Sequence, residues 1–570
     1  MIILSVVVGL LGGFGAVGFR HLIDFLMRVW PLESFTPEQI AKLDWYWIVG
    51  IPAVGGLLVG AITKWFAPEA KGHGVPEVME AVALRGGKIR PRVVAAKAVA
   101  SGLSIASGGS VGREGPIVQI GAAIGSAVAQ LFKVQRRKMR TLVGCGAAAG
   151  IAATFNAPVA GALFAVEVLL GDFAVHQFSP IVISSVLATV VARAYMGDVP
   201  AFELTQGQLE AYRLVNPGEL VAYAVLGVLA GMLAIFFVRL LAASEDVVER
   251  TRLPLPITAA LGGALVGCLG LFYPHVLGVG YETIGSALSG SLGWQLLLAL
   301  LGAKLIAVCI TLASGGSGGV FAPSLFLGAM LGGVVGAVVN QIAPFATAPI
   351  GAYALVGMGS VVAATTRAPI TTILIIFELT SDYRVMLPLM IATIVATQIA
   401  RRFSKFSIYT IKLARRGVMI SEGQDVDVLR RIPLREVIRE APTVPPSHDV
   451  TDLVNQFLSG EVRHFHVVDA DGILRGEISV DELRPVIQNS ETLHGVVVAQ
   501  DLLPPSFPSV EIGDALDSVL KRLDEGYRDE LPVLDQGRFV GVVRTSDVIA
   551  RYRREIAQRD ADKADAVSAW

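Results

Sequence analysis

Charge is scarce in this chain. Only 17% of its 570 residues are Asp, Glu, Lys or Arg, against 53% hydrophobic, and the mean hydropathy is +0.62. Soluble domains carry about 25% charged residues, so the scarcity excludes a soluble enzyme for most of the chain and implies a polytopic membrane protein. The net charge is −1, which leaves no bulk electrostatic basis for binding nucleic acid. Cysteine is scarcer still. Cys145, Cys268 and Cys309 lie far apart in apolar segments, a spacing that excludes a disulfide framework or a metal-ligand set. No basic stretch or small-residue cleavage site accompanies the first apolar run, so residues 1–10 predict a membrane helix rather than a secretion signal. The chain opens inside that helix, which leaves room for a preceding segment. The spans hold no His-Glu-x-x-His pair, and the Ser-Gly-Gly-Ser stretches lack the Lys-Ser/Thr ending of a phosphate loop. A membrane enzyme therefore ranks low.

What is present is a succession of apolar segments up to about residue 403. Residues 47–66, 219–241, 257–272, 296–313 and 385–399 predict membrane spans. Residues 117–131 and 158–170 are shorter and are bounded by Gly, Pro or charge. Short helices at membrane depth are tolerated only where their ends are buried in protein or line a water path. Arg136-Arg-Lys138 with Arg140 reads as a cytoplasmic loop. The basic stretch 411–416 places the C-terminal part of the chain on the cytoplasmic side by the positive-inside rule. We divide the chain into a membrane unit (1–417), a linker (418–432), two similar α/β modules (433–488 and 497–553) and a charged tail (554–570). In the modules, alternating strands are read at 465–468, 474–479, 530–534 and 539–543.

The membrane unit repeats itself. Ser107-Gly-Gly-Ser-Val-Gly-Arg-Glu-Gly-Pro116 recurs as Ser314-Gly-Gly-Ser-Gly-Gly-Val-Phe-Ala-Pro323, and at the same spacing Lys97 matches Lys304 and Gly121-Ala122 matches Gly328-Ala329. Slightly further apart, Asn156-Ala-Pro158 leading to Glu167 matches Arg367-Ala-Pro369 leading to Glu378. Glycine-broken helices at matching places in two related halves are how transporters build an ion site. Helix N-termini offer unpaired N–H groups and a positive dipole end. From the residues alone the chain is an anion-handling membrane protein with two related halves.

Four motifs narrow this further: Gly72-His-Gly-Val-Pro76, Gly112-Arg-Glu-Gly-Pro116, Gly319-Val-Phe-Ala-Pro323 and Ser407-Ile-Tyr409 followed by Arg415-Arg-Gly417. In this order, inside a repeat, they resemble the CLC family of chloride channels and chloride/proton exchangers across essentially the whole chain. The resemblance implies an all-α polytopic membrane domain with an inverted internal repeat, one pore per subunit of a homodimer in a lipid bilayer, and a cytoplasmic α/β pair of CBS modules. The cell membrane of a prokaryote is the expected location, with chloride and protons as partners and no nucleic acid.

The resemblance implies that Glu114 is the gate, occupying an anion site when ionised and releasing it when protonated. A carboxylate in an apolar, glycine-rich stretch is expensive, so it has either a function or a tight partner, for which Arg113 is the bland candidate. The expected anion ligands are His73, Gly74, Arg113, Val320, Phe321 and Tyr409. For Val320 and Phe321 the alternative is close helix packing by small residues. For Tyr409 it is an interfacial anchor. His73 departs from the serine usual in the family: a histidine keeps a donor but adds bulk, and it either favours anion binding or points away. Selectivity among chloride, nitrate and fluoride is open on that account. The second departure is Val168, where exchangers of the family commonly carry an internal proton-transfer glutamate. This weakens exchange without removing it: proton/chloride exchange gated by Glu114, regulated by the CBS modules, is the leading expectation and a passive, voltage-gated chloride channel the alternative. Glu167 beside it reads as a helix-end or dimer-side partner. In the modules an adenine nucleotide is the candidate cofactor, through Ser479 with Glu482 and through Asp547, although Arg544 stands where Ser or Thr is expected. A dimerisation module without ligand is the alternative. A nucleotide sensor with a membrane anchor ranks lowest, since two broken-helix motifs exceed what an anchor needs.

Overall fold

A computed structural model describes residues 1–30, 35–66, 72–171, 175–198, 212, 214–380, 382–416, 432–459, 464–484, 486–487, 496–525, 530–552 and 554–555. The chain separates into two compact units, Met1–Ile420 and Ser421–Trp570. Nearly all of the linker 418–432, and the tail beyond 555, lie outside the described residues.

The first unit is helical. Eight of its described helices are long and apolar enough to cross a membrane. The N-terminal run forms Ile2–Val29, and the five expected spans appear as Trp45–Trp65, Glu219–Arg250, Leu255–Phe272, Trp294–Ala313 and Met386–Phe403. Two more, Gln177–Met196 and Phe321–Ile342, were not expected as spans. Gln177–Met196 contains a proline and Phe321–Ile342 several glycines, residues that lower helix propensity but are tolerated where neighbouring helices pack closely. The basic run at 136–140 does not form a loop: it opens the helix Arg136–Phe155.

Glycine sets how the halves pack. Helix Glu114–Leu131 crosses Arg136–Phe155 at Gly121 and Gly146, where a methyl group on either would collide with the carbonyl of the other. In the second half, Phe321–Ile342 crosses Ile350–Thr366 at Gly328 and Gly357 with the same mutual contact. Such small-residue contacts supply the close packing that apolar side chains cannot provide inside lipid. The helices ending these pairs also stop alike, in a left-handed residue, Asn156 (φ 58°) and Arg367 (φ 63°). That conformation is uncommon for residues other than glycine, and its recurrence marks the repeat in the backbone itself.

The second unit holds two small sheets. In one, strands 443–444, 465–468 and 474–478 run in that order; in the other the order is 438–439, 538–544, 530–535 and 510–511. All four expected strands are present. The modules are stitched together at their hairpins, where Phe539 N–H donates to Gly472 O (2.9 Å) and the His466 ring stacks on Phe539 at 5.0 Å. Beside them Arg544 Nε meets Glu530 at 2.7 Å, and His464 Nδ1 meets Glu477 at 2.7 Å. Burial alone would raise the Glu530 carboxyl, but the His466 imidazole and Arg544 guanidinium facing it outweigh burial and hold it down to about 2.

Candidate functional site

The two Ser-Gly-Gly-Ser loops meet. Gly112 N–H donates to Gly319 O (2.8 Å) and Gly319 N–H donates to Gly112 O (2.6 Å). Matching residues of the two halves thus exchange hydrogen bonds, the pattern expected at a local two-fold axis. Further bonds join the two halves around them. Ser101 and Ser317 share a hydroxyl bond at 2.8 Å, Gly318 N–H donates to Gly72 O at 3.3 Å, and Gly278 N–H donates to Gly108 O at 3.1 Å. Lys97 is fully buried and donates to Gly72 O at 2.7 Å. Its counterpart Lys304 donates to Val276 O at 3.0 Å and Gly278 O at 2.9 Å. These lysines are structural. A buried amine needs partners, and each finds them on the loop ahead of a short helix, Val75–Leu84 in one half and Tyr281–Leu288 in the other.

Those loops uncover a third repeated motif that the sequence reading missed. Gly72-His-Gly74 corresponds to Gly278-Val-Gly280, and all four glycines have positive φ, at 82°, 87°, 62° and 90°. The left-handed turn ends each loop and starts each helix.

Helix beginnings therefore gather around one point. A methyl group on Gly115 would collide with His73 O and lie 2.9 Å from Gly319 Cα, so the starts of Val75–Leu84, Glu114–Leu131 and Phe321–Ile342 touch. The first N–H groups of a helix lack intrahelical partners. Those of Val320, Phe321 and Ala322 have no backbone partner among the described residues. Tyr409 caps a further short helix, Thr410–Arg415, is 2% exposed and sits within electrostatic reach of Glu114.

Into this ring of donors projects one acceptor. Glu114, the first residue of its helix, is 1% exposed. Its Oε1 accepts a hydrogen bond from the Tyr281 hydroxyl, while Oε2 has no partner among the described residues. A methyl group on Gly112 would collide with Oε2 and would lie 3.2 Å from the Ala322 nitrogen, so the carboxylate stands beside the start of Phe321–Ile342. Arg113 does not pair with Glu114 among the described residues; its guanidinium lies over the Tyr281 ring, 5.1 Å from the centroid. His73 is 2% exposed, and neither ring nitrogen has a hydrogen-bond partner among the described residues. Lys412, Glu77, Lys97 and Arg416 are the charged groups near it, and Lys412 pairs with Glu77 at 3.0 Å.

Val168 is 9% exposed, packs in the main apolar core and belongs to a π-helical turn, Ala165–Leu170. Glu167 beside it turns the other way. Its carboxylate accepts from Thr371 N–H (2.7 Å), Thr371 Oγ1 (2.6 Å) and Ile370 N–H (3.3 Å), at the start of helix Pro369–Thr380. Glu378 returns the contact, accepting from Val159 N–H (3.0 Å) and Ala160 N–H (2.7 Å) at the start of Pro158–Phe164. Each half thus caps the short helix of the other, and the helix-end role expected of Glu167 is the one it occupies.

Two cavities flank these elements. One of about 180 Å³ reaches Arg113 and Tyr281 and is lined by Arg20, Asp24, His275 and Glu282. The other, about 240 Å³, reaches Glu77 and Gln119 and is lined by Glu80, Arg85, Lys88, Arg90 and Arg416. They adjoin the two matched short helices, Tyr281–Leu288 and Val75–Leu84.

The sequence profile of the voltage gated chloride channel family matches residues 55–401. The chain belongs to that family, the CLC family. CBS domain profiles match residues 430–489 and 498–554. A ClcB-like protein of Ralstonia nicotianae, named as a chloride channel, is 35% identical over 73% of this chain and 97% of its own length. The H(+)/Cl(-) exchange transporter ClcA of Vibrio parahaemolyticus is 32% identical over 73% of this chain and 89% of that protein. Among solved structures, a slow cyanobacterial Cl-/H+ antiporter superposes with a TM-score of 0.63 at 28% identity, covering 73% of this chain and 97% of that one.

In the CBS pair of this CLC chain, the residues of the adenosine-binding pattern bond within the protein. Ser479 precedes helix Val480–Leu483, and both its N–H and its hydroxyl donate to Glu482. The N–H bond is the carboxylate half of a helix capping box, at the same spacing a ribose site would use. In the second module Asp547 pairs with Arg439 at 2.6 Å and Arg544 turns to Glu530. In the first module the hydroxyl and the carboxylate of the pattern thus bond to each other, and in the second Arg544 stands where the hydroxyl is expected.

Proposed function

We propose that this chain carries chloride across a membrane in exchange for protons, with Glu114 as the shared gate. The observation that carries the reading is the Glu114 carboxylate, whose buried Oε2 has no partner among the described residues and stands where three helix beginnings meet. An acceptor-only group in a cradle of N–H donors occupies a site made for an anion. Protonation removes its charge and its claim on those donors, which lets a chloride ion replace it. Gly74, Val320 and Phe321 contribute backbone at this site, Tyr409 a hydroxyl, His73 a ring N–H, and Arg113 positive potential. Two relatives named as exchangers support coupling to protons. A passive chloride channel is the second reading, favoured by Val168, which cannot carry a proton and is enclosed in apolar core.

In this proposal the membrane unit extends to residue 417, the linker spans 418–432, and CBS modules at 433–488 and 497–553 modulate transport from the cytoplasm. The basic residues at the end of the membrane unit, Arg401, Arg402, Lys412, Arg415 and Arg416, favour that side. The working form is a homodimer in a prokaryotic cell membrane.

Purified protein in chloride-loaded liposomes tests the reading: chloride leaves when a potassium ionophore balances charge, and efflux no faster than from protein-free liposomes overturns it. In the same liposomes, His73→Ser shifts the nitrate-to-chloride flux ratio toward chloride by about five- to tenfold, on the order of 1 kcal/mol. An unchanged ratio means that the imidazole does not touch the anion.

A further inference from the structure

We infer that Tyr281 is the clasp of the gate, a hydroxyl that holds the ionised Glu114 carboxylate in the anion path and lets go when the carboxyl is protonated. The inference rests on Glu114 being the gate and adds the residue that decides how firmly it stays shut.

The geometry is one-sided. Tyr281 is the first residue of helix Tyr281–Leu288, and the matching first residue in the other half is Val75. Packing at this corner therefore asks only for an apolar side chain. In the second half it is filled by a ring whose hydroxyl reaches Glu114 Oε1. The first half has no equivalent bond, because there the matching side chain is the apolar Val75 and the carboxylate of the signature motif is replaced by Phe321.

The clasp is also fixed in place. Lys304 holds the carbonyls of Val276 and Gly278 just ahead of it. Gly280 turns with φ 90°, and a methyl group there would lie 2.8 Å from the Phe326 ring. The Arg113 guanidinium covers the Tyr281 ring at 5.1 Å. A donor held by this many contacts loses little freedom when it bonds, so more of the bond strength is realised.

Its preference follows from charge. A hydroxyl bonded to a carboxylate is charge-assisted and roughly twice as strong as one bonded to a neutral carboxyl. The clasp therefore favours the blocking, ionised state over the released one. Tyr281 lines the 180 Å³ cavity with Arg20, Asp24, Arg113, His275 and Glu282, so the protons that open it arrive past these groups. Tyr281 acts through Glu114 and does not itself contact the anion.

The test is Tyr281→Phe, which keeps the ring and its arginine contact and removes one oxygen atom. In liposomes, chloride efflux rises about tenfold and the number of protons moved per chloride falls, as expected for losing one charge-assisted bond. Both changes disappear in a Glu114→Ala background, where there is no carboxylate to hold. Flux and coupling equal to wild type overturn the clasp. So does an equal rise in the Glu114→Ala background, which would make Tyr281 a steric wall of the path. Wild-type protein that moves no chloride contradicts the transport reading itself, whereas wild-type flux with an indifferent Tyr281→Phe contradicts only the clasp.

Discussion

Glu114→Gln leaves chloride flowing and ends proton movement. Glutamine has nearly the shape of protonated glutamate and cannot ionise, so it imitates the open gate permanently. Its carboxamide carries no charge and so holds the N–H groups at the start of Phe321–Ile342 less firmly than a carboxylate, which leaves that helix beginning available to chloride. We expect proton movement at the level of protein-free liposomes, with chloride flux within about threefold of wild type or above it. Any response of flux to pH through this site vanishes as well. The measurement is paired chloride and proton recording on the same liposomes. Folded Glu114→Gln protein that carries no chloride would show that the carboxylate supports the path rather than blocking it.

The second large effect is on the fold. Glu167 and Glu378 exchange places across the two halves, each accepting the first N–H groups of a short helix that the other half supplies. These are charge-assisted bonds to helix N-termini, one of each pair part-buried and the other exposed, and the part-buried ones are worth about 1.5–3 kcal/mol each. Glu167→Ala should lower stability by about 3 kcal/mol, because Thr371 loses the partner of both its N–H and its hydroxyl. Glu378→Ala should cost somewhat less. The double substitution falls short of the sum, since both residues clamp the same pair of helices. Thermal unfolding of the full chain in detergent, followed by tryptophan fluorescence, reads the change. A midpoint equal to wild type for both single variants would mean that packing alone holds the short helices together.

Much of this arrangement was legible in the residues. The Ser-Gly-Gly-Ser loops and the Lys97 and Lys304 pair announced two halves, and the structure joins those loops by reciprocal bonds at Gly112 and Gly319. The strands of the modules came from two-residue alternation. Other parts were hidden for physical reasons. Phe321–Ile342 begins within a motif legible as a signature, and its internal glycines masked a membrane-length helix. Tyr281 escaped notice because only two glycines survive between Gly72-His-Gly74 and Gly278-Val-Gly280, and their shared positive φ is a backbone property. Ser479 with Glu482 is a different case. A serine and an acid three residues later suit a ribose site and a helix cap equally, and the bond between them is visible only in three dimensions. His73 lies between these cases: its type was informative, and its two unpartnered nitrogens give that type a place in the proposed anion site.

The most direct test of coupled exchange is proton movement in liposomes holding the purified protein, under an imposed chloride gradient with the voltage clamped to oppose passive proton flow. Exchange through Glu114 predicts that chloride running down its gradient drives protons uphill, and that Glu114→Gln stops them. Chloride flux with no uphill proton movement in the wild type would contradict exchange and leave a passive chloride path, with Val168 as its cause.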